Sequence, residues 1–412
     1  MSQTVMMLRL SRNSYRFNIN TVKQFSSTNS DCVQIKNLDS EYEYKSESTK
    51  DQKSKRKTKL LKKEFESLCS WKDQSELVSE LHRNIVYHEP QDKTGLVVLN
   101  KPYGLPKTPS EDCQYSLESS LPHLADQLGV KKLSIVKASE RFSSGITILG
   151  SNDQTEKFYK RAMTRCNVSR IMSSSYIALV KGSASINKHE NVDMRLKECP
   201  EVANPLFSSM HKEPVISRHL VKQWKLQRDK IRRVSVHAES VARSSSGVSV
   251  MSVSSSFAGK HFLQVYLADL GHPVLGDMMY DYRTRTIMGQ RIRITSHTNA
   301  RRTQLLPFNI LELLGLQEGE EWMMPKFLHK HRIHLPGWLE GKKDLTVFAP
   351  PPQHWTRTLQ TLGVNFSYKE FAESDKPSVK DLNTERAEKK RKKKEDQQQV
   401  LTDLQASVAE LP

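Results

Sequence analysis

The sequence predicts an α+β protein with a largely antiparallel sheet, and three observations carry that prediction. Short runs rich in β-branched residues recur between clusters of turn-formers, as strands do. Helical periodicity is confined to isolated stretches. The strands also follow one another without the regular βα alternation that a parallel, doubly wound sheet requires. Of 412 residues, 36% are hydrophobic and 27% charged, so the apolar content must concentrate in one core of about 250–270 residues.

Residues 1–30 carry Arg9, Arg12, Arg16 and Lys23, many serines and no acid before Asp31. Val5, Met6, Met7, Leu8 and Leu10 give this basic stretch an apolar side. That is the pattern of a mitochondrial transit segment, with a matrix destination, and not of a secretory signal. Residues 31–63 are polar and end in the basic cluster Lys53–Lys63. They hold too few aliphatics to offset their ordering entropy and read as a disordered linker. Residues 64–92 form a helical lead-in, with Leu77, Leu81 and Ile85 spaced four apart on one predicted helix over Glu64–His88.

The folded domain is predicted over residues 93–366. Leu96–Leu99 is a buried-strand run, stopped by Asn100-Lys101-Pro102-Tyr103-Gly104, where proline and glycine force a turn. Lys101 at this turn either meets phosphate or is simply solvated. Leu117–Leu128 reads as a helix. Leu133–Val136 and Ile146–Leu149 read as strands on either side of a polar loop whose one carboxylate is Glu140. A second helix, Asp153–Cys166, starts after the cap cluster Ser151-Asn152-Asp153 and carries Lys157, Lys160, Arg161 and Arg165. Tyr176–Val180 is another strand. Ser183–Arg233 is less legible. Val234–Val253 reads as strands around a turn at Ser244–Gly247, and Phe257–Leu267 follows as a further strand. In Gly271–Tyr280, Pro273 and Gly276 fix the backbone, and Asp277 bonds backbone amides. Residues 367–412 form a polar tail with six consecutive cations, Lys389–Lys394, whose mutual repulsion predicts disorder.

The net charge of +18 calls for a polyanionic partner, nucleic acid or an anionic membrane surface. No run approaches the length of a membrane span. The five cysteines are scattered, with no C-x-x-C, and read as free thiols.

Around Glu140 the sequence Ala138-Ser139-Glu140-Arg141-Phe142-Ser143-Ser144-Gly145 resembles the R-L-D-x-x-T-S-G loop of RluA-type pseudouridine synthases. Four flanking blocks of that family recur in order, in Leu96–Pro106, Ser174–Gly182, Leu263–Tyr280 and Phe327–Pro352. The pattern is most similar to the mitochondrial mRNA pseudouridine synthase subgroup, which lacks the usual catalytic Asp. The resemblance implies a bifurcated central sheet flanked by helices, a site in a cleft across its middle, and isomerisation of uridine in RNA without a cofactor. It implies mitochondrial mRNA or rRNA as the partner, with RNA-granule or ribosome-assembly proteins as further partners.

Carried over by position, Glu140 stands for the catalytic Asp and Tyr176 for the family's Tyr. Gln264 replaces the Arg that pairs with the Asp, and Gly259-Lys260-His261 is a shortened G-R-T-H. Lys101, Arg141, Lys157, Lys160, Arg161, Lys260, His261 and Gln264 form the expected substrate- and RNA-binding set. Glutamate's extra methylene displaces the carboxylate by about 1 Å, a misplacement that can cost on the order of a hundredfold in rate. Loss of the Arg removes a fixed cation, so a buried Glu140 is expected to have a raised pKa. Two readings therefore stand. One is a mitochondrial pseudouridine synthase using Glu140. The other is a catalytically degenerate RNA-binding or RNA-assembly factor with the same fold.

Overall fold

The computed structural model describes residues 60–109, 113–169, 171–198, 212–281, 284–287, 290–293, 304–338 and 343–375. The stretch read as a transit segment, most of that read as a linker and the residues beyond 375 lie outside the described residues.

The chain opens with α1 (residues 60–67), α2 (Gln74–Arg83), β1 (Ile85–His88), β2 (Leu96–Lys101), α3 (Leu117–Leu128), β3 (Ser134–Lys137) and β4 (Ser144–Gly150). It continues through α4 (Asp153–Ser169), β5 (Ser174–Lys181), β6 (Asn187–Glu198), β7 (Lys212–Ser217), α5 (Gln223–Arg228), β8 (Arg232–Arg243) and β9 (Val248–Ser255). Then come α6 (Phe262–Asp269), the ribbon β10 (Thr284–Ile287) and β11 (Gln290–Arg293), and α7 (Phe308–Leu314). The last elements are β12 (Leu328–Leu335), β13 (Leu345–Phe348), α8 (Gln353–Thr361) and α9 (Tyr368–Ser374).

Eleven strands make one sheet, in the order β1-β2-β4-β12-β5-β9-β8-β6-β7, with β3 branching from β4 and β13 from β12. Among the described residues β4 with β12 is its one parallel pairing. This is the mostly antiparallel, branched sheet that the sequence predicts. Strand β2 is buried on both faces: Val97 and Leu99 pack under α2 and α3, while Leu96 and Val98 pack with Ala162 of α4. Alternate residues of β5 are likewise split, with Ala178 and Val180 against α6 and Ile177 and Leu179 on the α7–α8 side. The sheet is therefore covered by helices on both faces, and its middle strands are β12 and β5.

Three boundaries differ from the sequence reading. The lead-in is not one helix: Leu77 and Leu81 do lie on the buried side of α2, but the backbone then turns at Asn84 and Ile85 opens β1. Residues 60–63, read as linker, belong to α1, because Leu61 and Phe65 are buried beside Ile310 and Leu314. Residues 368–374, read as tail, form α9. Its Tyr368 hydroxyl donates to the Ala349 carbonyl (2.7 Å), and Arg332 pairs with Asp375 just beyond it (3.0 Å).

Phe257–Leu267 is the fourth difference. Residues 262–269 form α6, a helix buried all round from Phe262 to Ala268. A continuous apolar run does not distinguish a buried strand from a buried helix by periodicity. Gln264 is thus presented from a helix turn, not from a strand.

Candidate active site

Two parts of the fold meet at the sheet's middle. From one side comes the loop between β3 and β4. Its first half is tied down by the Ser139 N–H to Thr147 Oγ1 (3.3 Å), its second by Ser143 N–H to the Glu140 carbonyl (3.2 Å). The turn after β2 braces it further, since Gly104 N–H donates to the Arg141 carbonyl (2.9 Å). Gly145 closes the loop at φ +106°, and a β-carbon there would sit 2.3 Å from the Lys330 carbonyl oxygen. Only glycine lets β4 and β12 approach so closely.

From the other side comes the start of α6. Lys260 and His261 both hold φ near +57°, an unusual left-handed pair for residues with side chains. That backbone turns the first amide of the helix inward. The His261 N–H donates to Glu140 Oε1 (3.4 Å), and the Gln264 amide donates to Glu140 Oε2 (3.0 Å). His261 Nδ1 lies 3.4 Å from Oε2, and Lys326 Nζ lies 3.7 Å from the same oxygen. Glu140 remains 32% exposed while Gln264 is 1% exposed, so the carboxylate reaches solvent from a buried support.

Electrostatics here reverse the sequence expectation. Burial pushes the Glu140 carboxyl up, but the His261 hydrogen bond, the Lys326 ammonium, the charge of His261 and the Gln264 amide together outweigh it. The net result is a pKa lowered to about 2. Gln264 stands where the resemblance implies an Arg, and a lysine from a different segment supplies the cation. Lys326 was absent from the sequence-predicted set. Its one signal is a position next to the Phe327–Pro352 block, and nothing in that spacing points to Glu140. Tyr103 holds its backbone by accepting the Lys326 N–H at its hydroxyl (3.1 Å).

Tyr176 lies on β5 in register with Lys330 of β12. Burial first, then the Glu140 charge and Tyr159 of α4, push its phenol far up, so it stays protonated at neutral pH. Asp277 is buried, accepts from the Met279 N–H (2.9 Å), and is pushed up by burial against the pull of Lys326. The backbone-bonding role read from sequence holds.

Lys101 does neither of the things expected of it. It is 1% exposed, and its ammonium donates to the carbonyls of Pro102 (3.0 Å), Leu105 (3.0 Å) and Arg141 (3.3 Å). Burial, the dominant cause, brings it down to about 7. It is a fastener between the β2 turn and the Glu140 loop, out of reach of RNA phosphate. Arg141 lies half-buried beside it, its guanidinium 5.0 Å from the centroid of the exposed Phe142 ring. Lys157, Lys160 and Arg161 are exposed on α4, Lys160 paired with Glu156 (2.7 Å), and Lys260 is exposed at the rim. The structure thus gathers Glu140, His261 and Gln264 into direct contact, places Tyr176 near them, and leaves the α4 cations on the surface.

The sheet is branched and mostly antiparallel, with a loop carboxylate braced across its centre, and the homologues of this chain are RluA-like mitochondrial pseudouridine synthases. It is 29% identical over 295 residues to the mitochondrial mRNA pseudouridine synthase RPUSD3 of Homo sapiens, covering 70% of this chain and 78% of that protein. To the mitochondrial pseudouridylate synthase RPUSD4 of Bos taurus it is 26% identical over 292 residues, covering 70% of this chain and 71% of that one. The solved structure of human RNA pseudouridylate synthase domain containing 4 shares the fold, with a TM-score of 0.50 at 18% identity, over 70% of this chain and 97% of that one. No protein-family model matches the chain. RPUSD3 and RPUSD4 are mitochondrial pseudouridine or pseudouridylate synthases by name, and among the described residues no helix is long and apolar enough to cross a membrane.

Proposed function

We propose that the protein isomerises uridine to pseudouridine in mitochondrial mRNA, in the matrix, with Glu140 as the working carboxylate. The observation that supports this most is the set of contacts on the Glu140 carboxylate, from the His261 N–H (3.4 Å), the Gln264 amide (3.0 Å) and the Lys326 ammonium (3.7 Å), which favour its ionised form. The reaction breaks the N1–C1′ bond and forms C5–C1′, the proton leaving C5 and one returning to N1. Atoms and electrons balance within the nucleotide. A carboxylate can serve beside the ribose only while ionised, as base or nucleophile. The neutral Tyr176 phenol offers a ring face and a donor to the extruded base, which must leave its stack to be reached.

The exposed cations of α4 and Lys260 supply the electrostatic attraction for the RNA chain. Mitochondrial RNA-granule or ribosome-assembly proteins are the further partners this reading carries. The test is direct: the purified full chain is incubated with transcripts of mitochondrial mRNAs, and pseudouridine is mapped at nucleotide resolution. Site-selective pseudouridine supports the proposal. Tight RNA binding with no pseudouridine formed would replace it with the RNA-assembly reading.

A further inference from the structure

Lys330 sits in the middle of the sheet and is used by nothing described so far. It is 5% exposed. Its neighbours in register are Tyr176 on β5 and Gly145 on β4. Directly opposed residues of paired strands point to the same face, so Lys330 shares the face on which Tyr176 approaches Glu140. Gly145 contributes no side chain to fill the space beside it. Among the described residues the Lys330 ammonium makes no hydrogen bond or ion pair. It is also not among the fully enclosed unpaired polar atoms, so its head reaches the surface while its stem is covered. The charged group that acts on it is another cation, Lys137 at the end of β3, and no carboxylate does so.

A buried lysine without a counter-ion is costly, and proteins tolerate one where an anion completes it. Burial, and then the like charge of Lys137, bring Lys330 down to about 7, the behaviour of a site lacking its anion. Lys137 is exposed and faces Ile148 of β4, three residues along from the Gly145 that faces Lys330, so the fork between β3 and β12 brings the two lysines to one end of the sheet.

We propose that Lys330 and Lys137 form a phosphate subsite that takes one backbone phosphate of the RNA next to the extruded nucleotide. This rests on the RNA-substrate reading above, but not on Glu140 being catalytic. Such a contact fixes the strand at the point where its base leaves the stack, and it carries no sequence information.

The probe is a single-stranded, uridine-containing RNA oligonucleotide, titrated against the full chain over a range of salt. Lys330→Met keeps the stem and deletes the ammonium. It should weaken binding by about tenfold at low salt and lower the log–log salt slope by about 0.7, one single-strand phosphate contact. Its melting temperature should equal or exceed that of the parent, because a buried unpaired charge is gone. Lys137→Gln, at an exposed position, should lower the slope by the same amount, and the double variant by no more than the two together. Inorganic phosphate should compete weakly with RNA on the parent and less on Lys330→Met. Parent-like affinity and slope in Lys330→Met would overturn the subsite while leaving the RNA reading intact. Failure of the parent itself to bind RNA would overturn both.

Discussion

Lys326 Nζ stands 3.7 Å from Glu140 Oε2, while Gln264, at the position where the resemblance implies arginine, donates its amide to that same oxygen at 3.0 Å. Charge and hydrogen bond, which one guanidinium would combine, are here divided between two residues from separate segments. The division explains how a glutamate without its arginine is still held ionised.

Lys326→Met should therefore move the acid limb of pseudouridine formation toward neutral pH. With Lys326 present Glu140 is ionised down to about pH 2, so the parent should show no loss through Glu140 between pH 4 and 8. Removing the ammonium raises the carboxyl pKa and brings that loss into the range. Lys326→Arg should restore the parent profile. The linkage has the same sign. The lowered carboxyl contributes stability that is present above its ordinary value near 4.5 and fades as pH falls toward 2. Rates from pH 4 to 8 on the three proteins check this, and superimposable profiles would contradict it.

Lys101→Met should destabilise without weakening the electrostatics of RNA binding. The Pro102 and Leu105 carbonyls lose their donor, at a cost of about 1–3 kcal/mol. Thermal melting should drop by several degrees. The salt slope for RNA should not change, since a buried fastener releases no counterions.

Gly145→Ala combines a φ of +106° with a β-carbon 2.3 Å from the Lys330 carbonyl. The clash is with backbone and cannot be relieved by a rotamer. A loss of about 3 kcal/mol or more is expected, measured by denaturant unfolding.

Lys157, Lys160 and Arg161 are exposed on α4, and replacing all three with Gln should leave the fold unchanged. If they face RNA, the log–log salt slope should fall by about two, with little effect on the rate at saturating RNA. An unchanged slope would remove α4 from the interface.

Much of this architecture is legible in the residues because local signals agree there with the fold. Leu117–Leu128 is helical over the range its sequence predicts, since Ser116 caps it in a reciprocal pair with Ser119 and Gly129 ends it in the left-handed conformation. Strands β3 and β4 follow from their β-branched runs, and Glu140 stands out as the one acid between them. The failures share a cause, which is that tertiary burial overrides local appearance. Lys101 sits in a turn that looks solvated, yet its ammonium is enclosed by three carbonyls. Helix α6 looks like a strand because every face of it is buried. Lys326 carries no local mark at all, since its role arises only when the segment before β12 is brought against the β3–β4 loop.

Whether Glu140 is the working carboxylate is decided by Glu140→Gln. The amide keeps the size of the side chain but supplies neither a nucleophile nor a base, and it removes a negative charge that opposes phosphate. RNA affinity should stay within about twofold of the parent or improve. Pseudouridine is then mapped in mitochondrial RNA from cells expressing either form at equal abundance. With Glu140→Gln, pseudouridine should be lost completely at the target uridines. Equal pseudouridine in the two would contradict it and take Glu140 out of the reaction.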